Sequence, residues 1–247
     1  MTAQYSDETV VEANRISVTD LETGYGNSQI INEVSLQTHG DVTCIFGPNG
    51  SGKSTLLKCI AGSLPVWSGR IEFNGQDISS YDSHEVVSVG IVLLPQDGGI
   101  FPNLTVRENL RLGAHTVHDD DRIQARQEEV LEAFPVLKDK LTDDASSLSG
   151  GQQMMLGFGI AIMTGADVFM MDEPTAGLAP QLVVDMMEMI EEIVEREKTV
   201  ILVEQNVSAS LEIADHVYVL ARGRVQFDGT PEELLDEDQL IDLYLGL

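Results

Sequence analysis

Nine consecutive residues carry the clearest chemistry in the sequence. Gly47, Pro48, Asn49, Gly50, Ser51, Gly52, Lys53, Ser54 and Thr55 satisfy the pattern G-x-x-x-x-G-K-[ST] in full. The glycines let successive backbone N–H groups turn inward on an anion without Cβ obstruction, and a helix start adds a fixed positive partial charge. Lys53 supplies a point charge suited to the β- and γ-phosphates of a nucleotide, and the Ser54 hydroxyl can ligate Mg²⁺. A glycine-rich turn with a chance lysine would match in about one chain in a hundred at average composition. Here the motif also follows an apolar run, VTCIF, and opens a helical one, the setting it requires. The stretch marks a nucleoside triphosphate site and leaves open what the energy is used for.

A second constellation stands at VFMMDE, residues 168–173. An apolar strand delivering two carboxylates at its C-terminal end fits Asp172 as a holder of Mg²⁺ and Glu173 as the general base that polarises an attacking water. Alone, such a pair reads as an exposed turn; beside a phosphate loop the catalytic reading prevails. A third strand end raises a related question. In TVILVEQN, residues 199–206, four apolar residues from Val200 to Val203 give way abruptly to Glu204, Gln205 and Asn206. Open α/β sheets bind ligands outside the carboxyl ends of their strands. These polar residues are therefore expected to form a ligand-facing turn, with the ligand set by what else converges there.

Such groups need strands that end together. RISVTDL, VSLQTHG and DVTCIFG read as early strands, a helix is predicted from Lys53 to about Gly62, and GRIEFNGQDI reads as a strand closed by an Asn-Gly turn. GIVLLP is a short apolar strand. From about Phe101 to Gly165 the character becomes helical. TVRENLRLGA opens with a Thr105 N-cap and Glu108 three residues on, a capping-box pattern, and DDDRIQARQEEVLEAF places acids at the positive end of its helix dipole. Then come strand DVFMMD, a helix from about Pro180 to Glu197, strand TVILV and a strand-rich tail. In the long helix Val183, Met187, Ile190 and Val194 form a core-facing stripe, its methionines serving as packing. Strands alternating with helices predict a mostly parallel α/β sheet with a helical insertion over about 101–165.

Composition narrows the setting. The 247 residues carry 41 Asp and Glu against 14 Lys and Arg, a formal charge of −27, and such a field repels nucleic acid. It suits a solvating surface in a salt-rich cytoplasm, where screening shortens self-repulsion. Cys44 and Cys59 are too few for a disulfide framework and read as buried thiols in a reducing compartment. No apolar run is long enough to span a bilayer, and the acidic N-terminus lacks the apolar segment of a secretory signal. The chain is expected to be cytoplasmic, with any membrane role mediated by partners. The histidines and Trp67 read as structural or packing residues.

Between the phosphate loop and the paired acids stands LSGGQ, Leu148, Ser149, Gly150, Gly151 and Gln152. With GPNGSGKST and VFMMDEPT it resembles the signature of the ATP-binding cassette family, and the resemblance runs over about residues 13–247, leaving an acidic tail at 1–12. Ser149 and the amides of Gly150 and Gly151 at a helix N-terminus suit an anion on physical grounds as well. The resemblance implies a P-loop NTPase (RecA-like) core with an N-terminal antiparallel β subdomain and the helical subdomain inserted in it. It implies ATP and Mg²⁺ as cofactors. The signature would contact the ATP held by an opposing ATPase subunit, Tyr25 would stack on adenine, and Gln96 would sense Mg²⁺ and the attacking water. It also implies a groove in the helical subdomain for a membrane permease, and peripheral attachment to the inner face of the cell membrane.

Two positions depart from the family pattern. Gln205 stands where a histidine is usual, and Ala179 stands where an aspartate is usual. Both variants resemble one branch, the second ATPase subunit of importers of branched-chain amino acids and related amides or urea. The C-terminal DLYLGL resembles it too. In that branch the subunit pairs with another ATPase subunit, two permeases and an extracytoplasmic solute-binding protein. The same departures leave open a slow, regulatory nucleotide-binding subunit. A soluble cassette acting in DNA repair or translation is disfavoured by the charge and by the single cassette.

Overall fold

The computed structural model describes residues 15–95, 98–115, 117, 119–205 and 207–237. The acidic tail, Gln96, Asn206 and DLYLGL lie outside the described residues. Strand β1 (Ile16–Tyr25) turns at Gly26–Asn27 into the antiparallel β2 (Ser28–Gln37), and β3 (Val42–Phe46) then runs straight into the phosphate loop and α1 (Lys53–Ile60). The chain returns through β4 (Ser68–Phe73) and β5 (Gln76–Asp77), joined where Asn74 and Gly75 both take positive φ, 50° and 77°, as a tight hairpin turn requires. These four strands form one antiparallel sheet in the order β2-β1-β4-β5.

Next come α2 (Ser83–Val89) and β6 (Ile91–Leu94), followed by α3 (Val106–Gly113), α4 (Asp120–Ala133) and α5 (Gly150–Thr164). The Thr105 capping box forms as its sequence predicts, with Glu108 N donating to Thr105 Oγ1 and Thr105 N to Glu108 Oε2. The chain continues through β7 (Val168–Asp172), α6 (Pro180–Glu195), β8 (Thr199–Glu204), α7 (Val207–Leu211), β9 (His216–Ala221), β10 (Arg224–Gly229) and α8 (Pro231–Leu235). The second sheet has the order β10-β9-β3-β8-β7-β6, parallel throughout except at the β10 edge.

Alternate residues of the central strands feed two separate cores, the period-2 consequence of a sheet covered on both faces. Phe46, Phe169, Met171, Val200 and Leu202 join the helices α3 to α6, while Ile45, Met170, Ile201 and Val203 join α1 and the antiparallel sheet.

Four details differ from expectation. Helix α1 stops at Ile60 and α6 at Glu195, each about two residues early. The buried face of α6 is Met186, Met187, Met189, Ile190 and Ile193, because α6 packs against α5, α7 and β8 together; Val183 and Val194 sit half-buried at its rim. Trp67 is 40% exposed rather than packed. Its loop is held instead by backbone: Trp67 N donates to Glu22 O, and Pro65 O accepts from the Thr23 hydroxyl. Finally, β8 extends through Glu204, which belongs to the interior.

Candidate active site

The parallel register brings three strand ends together. Phe46 lies opposite Glu204, and Asp172 opposite Val203, so the phosphate loop, the paired acids and the end of β8 share one edge. Gly47 opens the loop at φ 149°, where a Cβ would come within 2.0 Å of Leu220 O; at Gly52, φ 109°, a Cβ would meet Ile31 Cδ1 at 2.7 Å. The loop is also tied from outside. Gly223, in the β9–β10 turn, donates its N–H to Ser51 O at 2.8 Å and accepts Asn32 N at 2.8 Å.

Lys53 is only 4% exposed. Its Nζ donates to Gly47 O at 2.8 Å and lies 3.2 Å from Glu173 Oε1. Ser54 Oγ donates to Asp172 Oδ1 at 2.9 Å. Burial pushes the Asp172 carboxyl above its ordinary range; the Ser54 hydrogen bond opposes this, the neighbouring Glu173 charge adds to it, and Lys58 and Lys53 oppose it. Ser51 Oγ is buried with no hydrogen-bond partner among the described residues. A phosphate oxygen in the loop would give that hydroxyl its acceptor and Lys53 a second anion, so the residues present fit a nucleotide. Among the described residues no cluster of three or more His, Cys, Asp or Glu could cage a metal. A Mg²⁺ here would need nucleotide phosphates beside Ser54 and Asp172, which is the usual way this small cation is bound.

Glu173 adopts φ 50°, a left-handed conformation that costs a non-glycine residue about 1–3 kcal/mol. Its N–H donates to Val203 O at 2.8 Å, and its carbonyl accepts Ala176 N at 3.1 Å. The polar run after Val203 is only partly the ligand-facing turn expected of it. Gln205 is exposed, with its N–H donating to Glu204 Oε2 at 3.2 Å, but the Glu204 carboxylate points inward and accepts Thr175 N at 2.9 Å. Sequence reading missed this because the partner is 29 residues away. Only the unbroken burial of β8 through its last residue signals it.

Leu148 is buried and anchors the approach to α5, while Ser149 and Gly150 are exposed. Ser149 caps the helix: Gln152 N donates to its Oγ at 3.4 Å and its own N–H donates to Gln152 Oε1 at 3.1 Å. Gly150 has open space around it, and Gly151 meets only Leu182. The first turns of α5, through Gly150, Gln153 and Met154, border a cavity of about 280 Å³ whose other wall includes Asp172 and Glu173. Tyr25, at the β1–β2 turn, is 46% exposed. Ala179 is the N-cap of α6 and supplies no capping hydrogen bond.

Comparison with known proteins accords with this geometry. A model of the ABC transporter family matches residues 31–176. The chain is 42% identical over 229 residues to the probable branched-chain amino acid transport ATP-binding protein LivF of Archaeoglobus fulgidus, covering 92% of this chain and 97% of that protein. It is 37% identical over 232 residues to the high-affinity branched-chain amino acid transport ATP-binding protein BraG of Pseudomonas aeruginosa, covering 94% and 99%. A crystal structure of the ADP conformation of an ATP-binding cassette of an ABC transporter aligns with a TM-score of 0.82 at 30% identity, covering 91% of this chain and 94% of that one. The chain belongs to the ABC transporter family. It is an ATP-binding cassette with the P-loop NTPase fold, an ATPase related to the ATP-binding proteins of branched-chain amino acid transport.

Proposed function

We propose that this ATPase powers uptake of branched-chain amino acids, or of related small amides or urea, through partner permeases and an extracytoplasmic solute-binding protein. It would work as one cassette over 13–247, with its helical subdomain at about 101–165 facing the permeases. Among the described residues no helix is long and apolar enough to cross a membrane, in keeping with peripheral attachment to the inner face of the cell membrane. The observation that carries the reading is the joining of Lys53, Glu173, Ser54 and Asp172 by an ion pair and a hydrogen bond on one edge of the sheet.

In this reading the loop from Gly47 to Thr55 cradles the triphosphate, Tyr25 stacks on adenine, and Lys53 exchanges Glu173 and loop carbonyls for the β- and γ-phosphates. Release from Lys53 frees the Glu173 carboxylate to accept a proton from water as that water attacks the γ-phosphorus and the bond from phosphorus to the β,γ-bridging oxygen breaks, leaving ADP and inorganic phosphate. Ser54, Asp172 and Gln96 would hold Mg²⁺, which neutralises charge on the phosphates. Leu148 to Gln152 would meet the ATP of a second ATPase subunit, whose own signature would complete this site. Gln205 would donate an amide hydrogen bond to a phosphate oxygen. Replacing Glu173 by Gln should leave ATP binding intact and abolish steady-state hydrolysis; unchanged turnover would refute the assignment. The solute is tested by ATPase stimulation in the complex with its permeases, across leucine, isoleucine, valine, urea and short amides.

A second reading, a slow regulatory subunit in a heterodimer, is favoured by the uncapped Ala179 and by Gln205, which cannot become a cation as histidine can. Single-turnover hydrolysis measured at each composite site separates the two.

A further inference from the structure

The buried carboxylate at the end of β8 has no part in the scheme above. Glu204 is 1% exposed. Its Oε1 accepts Thr175 N at 2.9 Å, and the carbonyl of the residue before it, Val203, accepts Glu173 N at 2.8 Å. Two successive residues of one strand thus grip the loop that carries Glu173, one on each side of Pro174, which has no N–H to offer. Between the two grips Glu173 is held in its left-handed conformation, which persists only where the surroundings over-determine it. The Thr175 hydroxyl provides no substitute anchor, being buried without a hydrogen-bond partner among the described residues. On its other side Glu204 is laddered to Phe46, the residue before the phosphate loop. One strand end therefore references the loop bearing Glu173 to the loop that cradles phosphate.

We propose that Glu204 is a positioning residue for ATP hydrolysis: its carboxylate, by fixing the Thr175 amide, holds Glu173 where it meets the attacking water. The inference rests on the assignment of Glu173 as general base. The competing explanation is that Glu204 only satisfies a buried amide, in which case its loss lowers stability and every activity together. A positioning role instead lowers kcat while sparing ATP binding, because a small displacement of a base weakens catalysis more than ground-state affinity.

The test uses the full chain and four proteins: wild type, Glu204→Gln, Glu173→Gln and the double variant. Glu204→Gln keeps the shape and one acceptor oxygen but removes the charge that strengthens the bond to Thr175. It should lower kcat by about three- to tenfold with KM for ATP, and affinity for a fluorescent ATP analogue without Mg²⁺, within about twofold of wild type. Glu204→Ala, if it folds, should lower kcat further. In single-turnover hydrolysis the double variant should match Glu173→Gln alone within about twofold, since a residue acting through Glu173 has nothing left to position. Wild-type kcat in Glu204→Gln, a KM effect without a kcat effect, or losses that multiply in the double variant would overturn the inference and leave the Glu173 assignment standing. Undiminished hydrolysis in Glu173→Gln would remove that assignment and, with it, the inference.

Discussion

At the tip of β3 the phosphate loop exposes only Asn49 and Gly50 and is otherwise buried or half-buried and already bonded: Lys53 holds Gly47 O and Glu173, Ser54 holds Asp172, and Gly223 holds Ser51 from a distant turn. At the start of α5 the signature is capped by its own side chains but otherwise faces outward, with empty space around Gly150. Both are helix N-termini, where free backbone N–H groups and the helix dipole favour negative charge. One is tied on several sides to distant parts of its own chain, and the other is held mainly by its own cap. The difference predicts that substitutions at the first site disturb packing and chemistry together, whereas those at the second disturb chemistry alone.

Lys53→Ala presses the contrast hardest. It removes the cation and leaves Glu173 unpaired, so hydrolysis should fall by about 100- to 1,000-fold and nucleotide affinity with it, read by turnover and by equilibrium binding. Asn109 extends the buried side of the comparison into the helical segment. It is fully buried, accepts Phe101 N and donates to the carbonyls of Phe101, Leu104 and Thr105, fixing the approach to α3. Asn109→Ala should cost about 2–3 kcal/mol in chemical denaturation, because several buried groups lose their partner. Gly150→Asp probes the open side. It should leave the melting temperature and the chain's own ATP affinity unchanged while lowering turnover about tenfold or more by facing a phosphate with a like charge. A loss of stability there would erase the distinction.

Asp172 gives a smaller, pH-dependent effect. Because its carboxyl is raised, the folded state takes up a proton more readily than the unfolded chain. Its contribution to stability is therefore greatest below the ordinary carboxylate range and declines as pH rises from that range through the raised value. With Asp172 holding Mg²⁺ as proposed, which needs the ionised carboxylate, Mg²⁺-dependent ATP binding should weaken as pH falls through the same window. Ser54→Ala, lacking the bond that opposes the shift, should move the window upward. The smallest effect is expected at exposed Gln205: Gln205→His should change hydrolysis by less than about threefold and leave ATP binding intact. Abolished binding would mean that this turn does something other than sense the γ-phosphate.

The phosphate loop, the paired acids and the signature could be read from sequence because each packs its chemistry into a few adjacent residues. The alternation of strands and helices was legible for the same reason, since periodicity is local. Glu204 and Asn109 were not. A carboxylate after an apolar run, or an amide after charged residues as in Arg107-Glu108-Asn109, reads as solvent-facing until the fold supplies a backbone partner, and for Glu204 that partner, Thr175, lies beyond an entire helix. Trp67 failed in the opposite sense: large and aromatic, it was expected to pack, but its loop is held through its backbone, by Glu22 O and the Thr23 hydroxyl, in bonds that composition does not record.

Gly223 fixes when this nucleotide site can exist. A side chain there would run into Ile30 O at 1.9 Å, and its peptide links the phosphate loop to the antiparallel sheet. Strand β3, moreover, is flanked on both sides by β8 and β9. A ribosome makes residues 47–55 well over a hundred residues before the β9–β10 hairpin that holds them. A nascent or truncated chain that stops short of the β9–β10 hairpin therefore carries the full phosphate motif on an unfinished support. Competence to bind ATP should arrive only after the β9–β10 hairpin has emerged, and nucleotide capture then reports that synthesis has passed that hairpin.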